Sequence, residues 1–273
     1  MIVALTMGVI AGVVTGIRHI PRPAKKIEWV QSDASIIVQM KDLGGLPQSD
    51  VMDRLTVPDF TLYGDGTLVF TRPSERGQFS RTPLQHATLP SDTVRDLLKS
   101  ITDTGFFTFN YGQPRLGVYD VPTTYLYANT KDTANAISAY ALDTVPPTGT
   151  EWNQFRKLRE IKARLDTITN DAIASGTATL YTPNAVVLLV QLTPPISGPV
   201  PLEWPFADID LGSIAPESGV GERRIDGDLA REVLNRMTPI GDVFFLQDAH
   251  LYSVGYRPVL PHEDNFPEFE PPQ

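Results

Sequence analysis

The residue types that most often carry chemistry are few in this chain, and they do not fall into a known catalytic or metal-binding spacing. The chain has 273 residues, no cysteine and four histidines, which are His19, His86, His250 and His262. None of them lies three or four residues from another, as a helical zinc motif requires. The lack of cysteine excludes disulfides, thiolate metal sites and a cysteine nucleophile. We therefore expect no metal site and no cofactor.

The familiar enzyme motifs are also missing from the sequence. No Gly-x-Ser-x-Gly elbow occurs, and Gly219-Val-Gly221 neither completes a dinucleotide fingerprint nor precedes a phosphate-binding lysine. The carboxylate pairs Asp208/Asp210 and Glu263/Asp264 fall in predicted loop or tail, where solvation accounts for them. The sequence therefore favours a non-catalytic protein. An enzyme can assemble its site from scattered residues, so a hydrolase with no visible motif stays an alternative.

The charge of the chain is divided unevenly. The net charge is −9, with 23 basic and 32 acidic residues. The first 27 residues hold four basic and no acidic side chains, so the remainder has 19 basic against 32 acidic residues, a net charge of −13. Nucleic-acid binding requires positive charge opposite the phosphates, so we expect no nucleic-acid partner.

The first stretch, residues 2–17, is uncharged and carries glycines at positions 8, 12 and 16. Residues four apart lie on one face of a helix, so Gly8, Gly12 and Gly16 predict a smooth face for packing against another membrane helix. We interpret 1–17 as a transmembrane anchor, although its length of about 24 Å is short for a bilayer core of about 30 Å. A cleaved signal peptide and a buried helix of a soluble domain are the alternatives, and the glycines could simply reflect membrane composition.

Residues 18–27 form a basic linker in which Pro21 and Pro23 end the anchor helix. Basic residues after the span predict a cytoplasmic domain by the positive-inside rule, whereas most single N-terminal anchors on β-rich domains carry the domain outward. Trp29 follows closely, and it suits either a membrane interface or the core of the first strand. The predicted membrane-interface residues are Arg18, Arg22, Lys25, Lys26 and Trp29.

Residues 28–260 predict a soluble α+β domain of antiparallel hairpins packed with two or three helices. A hairpin over 57–72 turns at Gly64-Asp65-Gly66, a helix begins at Ser91 and ends at Gly105, and strands cover 123–129 and 136–142. A long helix over 151–169, a strand over 185–192, a loop over 193–224, a short helix to Met237 and a last hairpin follow. The halves 28–145 and 146–260 are suggested, and 261–273 form an acidic, proline-rich tail.

The helix predicted over 151–169 has an apolar stripe and a strongly basic opposite face. We call this set the basic face. It is interpreted either as a docking surface for an acidic partner or lipid headgroups, or as a solvated surface that pairs with acidic residues of the same chain. Its members are Arg156, Lys157, Arg159, Lys162 and Arg164.

Five scattered stretches carry a resemblance to known proteins. They are VPDFTLYGDGTLVF (57–70), YGQP (111–114), VPTTYLYANT (121–130), ISAYAL (137–142) and YRPVLPHED (256–264). Through these five stretches, the chain resembles a group of uncharacterised exported proteins and lipoproteins from actinobacteria and Chloroflexi. The resemblance implies an extracytoplasmic, membrane-tethered domain but no activity. The chain lacks the lipobox cysteine of that group, so the N-terminal helix would replace the lipid.

Two classes of function follow from these observations. The first is a non-catalytic, single-pass accessory subunit of a membrane complex, held by other transmembrane subunits at the glycine face and by lipids, with its domain periplasmic or on the cell surface. A bioenergetic complex, for electron transfer or photosynthesis, is one candidate host by analogy. The second is an independent exported module that binds a ligand or the cell envelope, for which Phe106, Phe107, Tyr111 and Tyr125 could line a pocket.

Overall fold

The structure, a computed structural model, describes residues 27–43, 54–73, 83–109, 118–144, 152–194, 200–237 and 244–264. Within these ranges the chain forms two mainly antiparallel sheets and four α-helices described over their full length, so the predicted α+β class is confirmed. The anchor predicted over 1–17 lies outside the described residues, as does the linker except for Ile27. In the ranges just given, no helix is both long and apolar enough to cross a bilayer.

The first sheet contains seven strands. These are β1 (Ile36–Leu43), β2 (Phe60–Tyr63), β3 (Thr67–Phe70), β4 (Gln85–Thr88), β5 (Thr123–Asn129), β6 (Ala134–Tyr140) and β7 (Thr179–Leu180). Their order is β6-β5-β1-β2-β3-β4-β7, and every neighbouring pair is antiparallel. β2 and β3 form the predicted hairpin. Gly66 at its turn has φ of +92°, which glycine adopts without steric cost.

Two helices cover one face of this sheet. α1 (Ser91–Thr104) follows the predicted pattern and ends at Gly105, which has the left-handed φ of +82°. α2 (Asn153–Ala174) begins close to the predicted start and continues five residues beyond the predicted end. Although α2 follows the suggested midpoint at 145, it packs within the core of the first sheet. Its buried apolar residues there are Phe155, Leu158, Ile161, Leu165, Ile168 and Ala172.

The second sheet contains the five strands β8 (Ala185–Thr193), β9 (Leu202–Glu203), β10 (Gly221–Asp226), β11 (Phe244–Gln247) and β12 (His250–Pro258). Their order is β10-β8-β12-β11-β9, and only β9 pairs in parallel, with β11. Two helices, α3 (Leu211–Ile214) and α4 (Gly227–Met237), accompany this sheet. The segment 193–224, predicted as one long loop, thus contains β9, α3 and the start of β10.

Three sets of contacts join the two sheets. The hydroxyl of Tyr181, just after β7, donates to the Val259 carbonyl at 3.0 Å, just after β12. The side chain of Leu55 lies over Gly255 of β12, where an added Cβ would come within 2.4 Å of Leu55 Cδ1. A small apolar cluster of Tyr63, Val69, Leu84 and Leu260 draws residues from both parts of the chain. The last described residues, Pro261–Asp264, form a 3₁₀ turn against β2.

Candidate functional site

Residues 27–35, which we call the entry segment, cross one end of the first sheet. β1 runs antiparallel to both β2 and β5, so the turns after these two strands lie at the end where β1 begins. The entry segment is bonded to both turns. The Lys131 amide donates to the Glu28 carbonyl at 2.8 Å, and the Trp29 indole nitrogen donates to the Gly64 carbonyl at 2.8 Å. The chain is therefore held against the sheet before its first strand begins.

Gly64 allows this attachment because it has no side chain. An added Cβ at Gly64 would lie 1.8 Å from the Val30 carbonyl oxygen, which is far inside van der Waals contact. The Gly64 amide also donates to the Ser35 carbonyl at 2.9 Å, so the backbone of the turn and that of the entry segment run in close contact. The turn that the sequence predicted for the hairpin thus also seats the entry segment.

A groove of about 320 Å³ lies beside the entry segment. This volume is at the lower end of the range for small-ligand sites, about 300–1,000 Å³. Three separate parts of the chain form it, namely the entry segment, α1 and the turn between β5 and β6. Its lining residues are Ile27, Glu28, Trp29, Val30, Gln31, Arg95 and Lys131.

Arg95 places a guanidinium at the groove. Its Nη1 donates to Asp92 Oδ1 at 2.5 Å, one turn earlier on α1. Its Nε is buried and has no hydrogen-bond partner within the described ranges. The side chain as a whole is 40% exposed, so the outer part of the guanidinium is accessible to a ligand. Arginine is suited to carboxylate and phosphate because its planar fork donates two hydrogen bonds at once.

Lys131 and Glu28 form a loose ion pair at the groove. Lys131 Nζ lies 3.3 Å from Glu28 Oε2, and both side chains are more than half exposed, at 64% and 52%. Exposed pairs of this kind contribute about 0–1 kcal/mol, so Lys131 can exchange Glu28 for another anion at low cost. The lining holds the cations Arg95 and Lys131, and each pairs with a carboxylate, Asp92 or Glu28. Both pairs are exposed, so either cation can exchange its carboxylate for an anionic ligand at low cost.

Trp29 is the one predicted membrane-interface residue that the structure describes. It is half-buried and packs against the core of the first sheet, as the alternative interpretation expected, and its ring also lines the groove. The other predicted interface residues and the glycines of the predicted packing face lie outside the described residues. They are Arg18, Arg22, Lys25 and Lys26, and Gly8, Gly12 and Gly16.

The basic face of α2 is more engaged with the protein than the sequence indicated. The Lys157 ammonium lies 5.7 Å from the centroid of the Phe109 ring. The Arg159 guanidinium lies 5.5 Å from the centroid of the Phe155 ring, and its Nε donates to the Leu142 carbonyl. Of the remaining members, Arg156 donates to Asn153 and Arg164 is exposed.

Lys162 does not lie on the exposed surface, because it is only 7% exposed and turns toward β1. Its Nζ donates to Asp42 Oδ2 and to Asp143 Oδ2, both at 2.6 Å. Thr124 Oγ1 donates to the second oxygen of Asp42 at 2.5 Å. Burial lowers the pKa of Lys162, but Asp42 and Asp143 outweigh it, so the pKa is raised above its ordinary value. Lys162 is therefore a charged link between α2 and β1, and its assignment to a docking face is corrected.

Tyr63 and His262 form a second polar contact inside the molecule. Tyr63, which is fully buried, has its hydroxyl 2.8 Å from His262 Nδ1. Burial raises the pKa of Tyr63, so the hydroxyl stays protonated. Burial also lowers the pKa of His262, with Glu263 opposing and Arg257 reinforcing this shift. A neutral imidazole and a neutral phenol thus share this hydrogen bond, which is a structural pairing.

Glu263, predicted as solvated, is held by the protein. Its carboxylate accepts from Arg257 Nη1 at 2.6 Å and from the Leu260 amide at 2.7 Å. Asp210 caps α3 by accepting from the Gly212 amide at 2.9 Å. Asp65 accepts from the amide and the hydroxyl of Thr67, both at 2.8 Å, as the predicted turn chemistry requires. These carboxylates organise the backbone around them.

Of the other histidines, His86 lies on the first sheet and His250 on the second, whereas His19 lies outside the described residues. His250 Nδ1 lies 2.8 Å from the Asp248 carbonyl. His86 makes long contacts of 3.4 and 3.5 Å with the Thr179 hydroxyl and packs edge-on against the Tyr181 ring. In the part of the chain that the structure describes, no three metal-ligating side chains come together.

The aromatic residues considered for a pocket are mainly core residues. Phe106 is buried and packs edge-on against Phe107, with ring centroids 5.7 Å apart. The Asn135 side chain donates to the Phe106 carbonyl at 2.7 Å and fixes this turn to β6. Tyr125 is half-buried, and Tyr111 lies outside the described residues. The groove formed instead at residues that the sequence had not grouped, because Glu28, Arg95 and Lys131 come from three distant segments.

Comparison with known proteins adds no relative to this picture: no protein-family model matches the chain, and neither a curated protein nor a solved structure is significantly similar to it.

Proposed function

We propose that this protein is a non-catalytic, membrane-tethered accessory subunit of a multi-subunit membrane complex, with its folded domain on the extracytoplasmic side. The observation that carries the proposal is the bonded entry segment. It begins one residue after Lys26, where the predicted basic linker ends, and it is fixed to two turns of the first sheet. Such an attachment supports a domain held in a set position above its anchor.

The polar interior supports a structural role. Lys162 uses its charge to join α2 to β1, and Tyr63 uses its hydroxyl to hold the 3₁₀ turn that contains His262. Both groups are satisfied by neighbours within the chain, and neither lines the groove. Groups arranged in this way stabilise a fixed shape, which is what a subunit that positions other subunits needs.

The glycine face of the predicted anchor provides the contact with a host complex. Lipid tails are as apolar as a leucine side chain, so helices in a bilayer associate through close packing of small residues. Gly8, Gly12 and Gly16 supply such a surface, and a bioenergetic complex is one host that carries single-helix subunits.

Gly12→Leu tests this assignment directly. Leucine at the centre of the glycine face should hold the partner helix away and weaken the association about tenfold, or about 1.4 kcal/mol. The measurement is the native mass of the protein extracted from its own membranes in mild detergent, with mass-spectrometric identification and quantification of the proteins that travel with it.

Val14→Leu is the matched control, because position 14 lies about 200° around the helix from position 12 and the change also adds bulk. The control variant should keep the same partners as the unchanged protein. Migration of the unchanged protein as a lone monomer after gentle extraction would contradict the accessory-subunit proposal.

An independent exported binding module is the second candidate function, and the groove beside Trp29 favours it. Its exposed Arg95 guanidinium and the loosely paired Lys131 are features that a ligand could use. A lone monomer that binds a small anion through Arg95 would support this candidate over the first.

A further inference from the structure

We propose that the groove lined by Trp29, Arg95 and Lys131 binds the phosphate of an anionic membrane lipid headgroup. The proposal rests on the membrane-tethered function above and adds a specific lipid site to it. The site is distinct from the predicted linker cations, because Arg95 and Lys131 lie far along the chain, on α1 and on the turn between β5 and β6.

Arg95 supplies the first half of the recognition. One edge of its guanidinium is held by Asp92, which fixes the side chain at the groove. The side chain is 40% exposed, so the outer part of the guanidinium is open to a ligand. A phosphate oxygen is a strong acceptor, and hydrogen bonds between two charged groups are about twice as strong as neutral ones.

Lys131 supplies the second half. Its ammonium is already at the groove, and its exposed contact with Glu28 is long enough, at 3.3 Å, to be replaced by a phosphate oxygen. The Lys131 backbone is fixed by the hydrogen bond from its amide to the Glu28 carbonyl. The ammonium therefore needs only a side-chain rearrangement to reach a new partner.

The place of the groove argues for a lipid as the source of the phosphate. Ile27 is a lining residue and lies next to Lys26, the last cation of the predicted linker that follows the anchor. Trp29 and the half-exposed Val30 supply apolar surface beside the two cations. Aromatic and basic side chains together are typical of the membrane–water interface.

The test uses the full chain in neutral detergent micelles, titrated with phosphatidylglycerol or with zwitterionic phosphatidylcholine. Bound lipid is counted from the protein's mass under non-denaturing conditions. The cations of the predicted linker are unchanged in every variant compared, so they contribute equally to each measurement. We expect phosphatidylglycerol to bind at least tenfold more tightly than phosphatidylcholine.

Arg95→Gln should reduce phosphatidylglycerol binding at least tenfold, and Lys131→Gln should reduce it several-fold. The control is Arg231→Gln, because Arg231 pairs with Asp228 three residues earlier on α4 just as Arg95 pairs with Asp92 on α1. The control removes the same charge and the same local pair away from the groove, so its lipid binding should be unchanged. Unfolding midpoints of all three variants verify that each is folded.

Equal lipid binding by Arg95→Gln and Arg231→Gln would overturn the site. Binding of inorganic phosphate that depends on Arg95, with no preference for phosphatidylglycerol, would overturn the lipid as its source. Flotation of the full chain with phosphatidylcholine vesicles tests the tether separately. A chain that does not float contradicts the proposed function, whereas a chain that floats but has no Arg95-dependent lipid binding contradicts only the groove.

Discussion

At the scale of single residues, Lys162 shows how one buried charge fixes a helix on a sheet. It sits beside Ile161 at the edge of the apolar stripe of α2, and its partner Asp42 lies on β1, 120 residues earlier. The 3.6-residue period places a lysine at such an edge without telling whether water or a carboxylate meets it. The sequence therefore assigned Lys162 to the exposed basic face, and only the packing of α2 on β1 revealed its partner.

Lys162→Met should destabilise the protein by about 2–3 kcal/mol, because removal of one partner leaves the mostly buried Asp42 without its cation. Arg164→Met removes an exposed cation from the same helix and should change the free energy of unfolding by no more than about 0.5 kcal/mol. Urea denaturation of the two variants measures both values. Equal changes in the free energy of unfolding would show that the buried ion pair stabilises the protein no more than the exposed cation does.

The pKa of Lys162 is raised above its ordinary value, so the folded chain holds this proton more tightly than the unfolded chain. The stability that the ion pair contributes is therefore present throughout the neutral range. It is lost only as the pH rises past the ordinary lysine pKa toward the raised one.

At the scale of elements, the sequence predicted those whose signal is local. The β2–β3 hairpin has Asp65-Gly66 at its turn, and α1 has both its apolar spacing and Gly105 at its end. β10 was missed because its sequence, GERRID, is charged, as suits a strand at a sheet edge. β4 was missed because it has four residues and a polar composition. The groove could not be predicted, since its polar residues meet only after three segments pack together.

Gly64→Ala should release the entry segment from the first sheet, because the new methyl group would collide with the Val30 carbonyl. We expect a loss of about 1–3 kcal/mol, typical of overpacking in a close contact. Hydrogen exchange of the amides of Lys131 and Gly64, which bond to the entry segment, should speed up beyond that of the β1 amides.

Gly176→Ala is the comparison for this change. Gly176 has a φ of +72° but no heavy atom within 4 Å of an added Cβ, so alanine there introduces backbone strain and no collision. In Gly176→Ala, the amides of Lys131 and Gly64 should exchange as in the unchanged protein. A similar exchange rate in the two variants would show that the close contact at Gly64 does not hold the segment.

At the scale of the whole molecule, contacts between the two sheets determine whether they behave as one unit. Tyr63 belongs to β2 of the first sheet, whereas His262 follows β12 of the second. Glu263 and Arg257 brace the turn that carries His262, and Tyr181 donates to the Val259 carbonyl at 3.0 Å nearby. The end of the described chain thus holds the two sheets together through polar contacts.

These contacts predict a pH dependence between neutral and mildly acidic conditions. The pKa of His262 is below its ordinary value of 6.5, so the unfolded chain takes up a proton before the folded chain does. The stability linked to His262 is therefore complete above about pH 6.5 and is lost as the pH falls through the lowered pKa. Unfolding midpoints measured between pH 7.5 and pH 5 should fall more steeply for the unchanged protein than for His262→Asn.

His250→Asn is the control for this experiment, because His250 is exposed and its contacts are local, a hydrogen bond with the Asp248 carbonyl and a ring contact with Tyr252. It should keep the steep pH dependence of the unchanged protein. If the steep fall of the unfolding midpoint with pH were lost in His250→Asn, or kept in His262→Asn, a group other than His262 would cause the pH dependence.

The attachment of the entry segment has a mechanical consequence for the tethered arrangement proposed above. A force applied to the described chain from its N-terminal side acts first on two hydrogen bonds at the ends of two hairpins. These join Trp29 to Gly64 and Lys131 to Glu28. Only after these bonds break would the force reach β1, which lies between β5 and β2 and must then slide past two neighbours at once. Peeling of the entry segment would thus lengthen the tether under load while the first sheet stays folded.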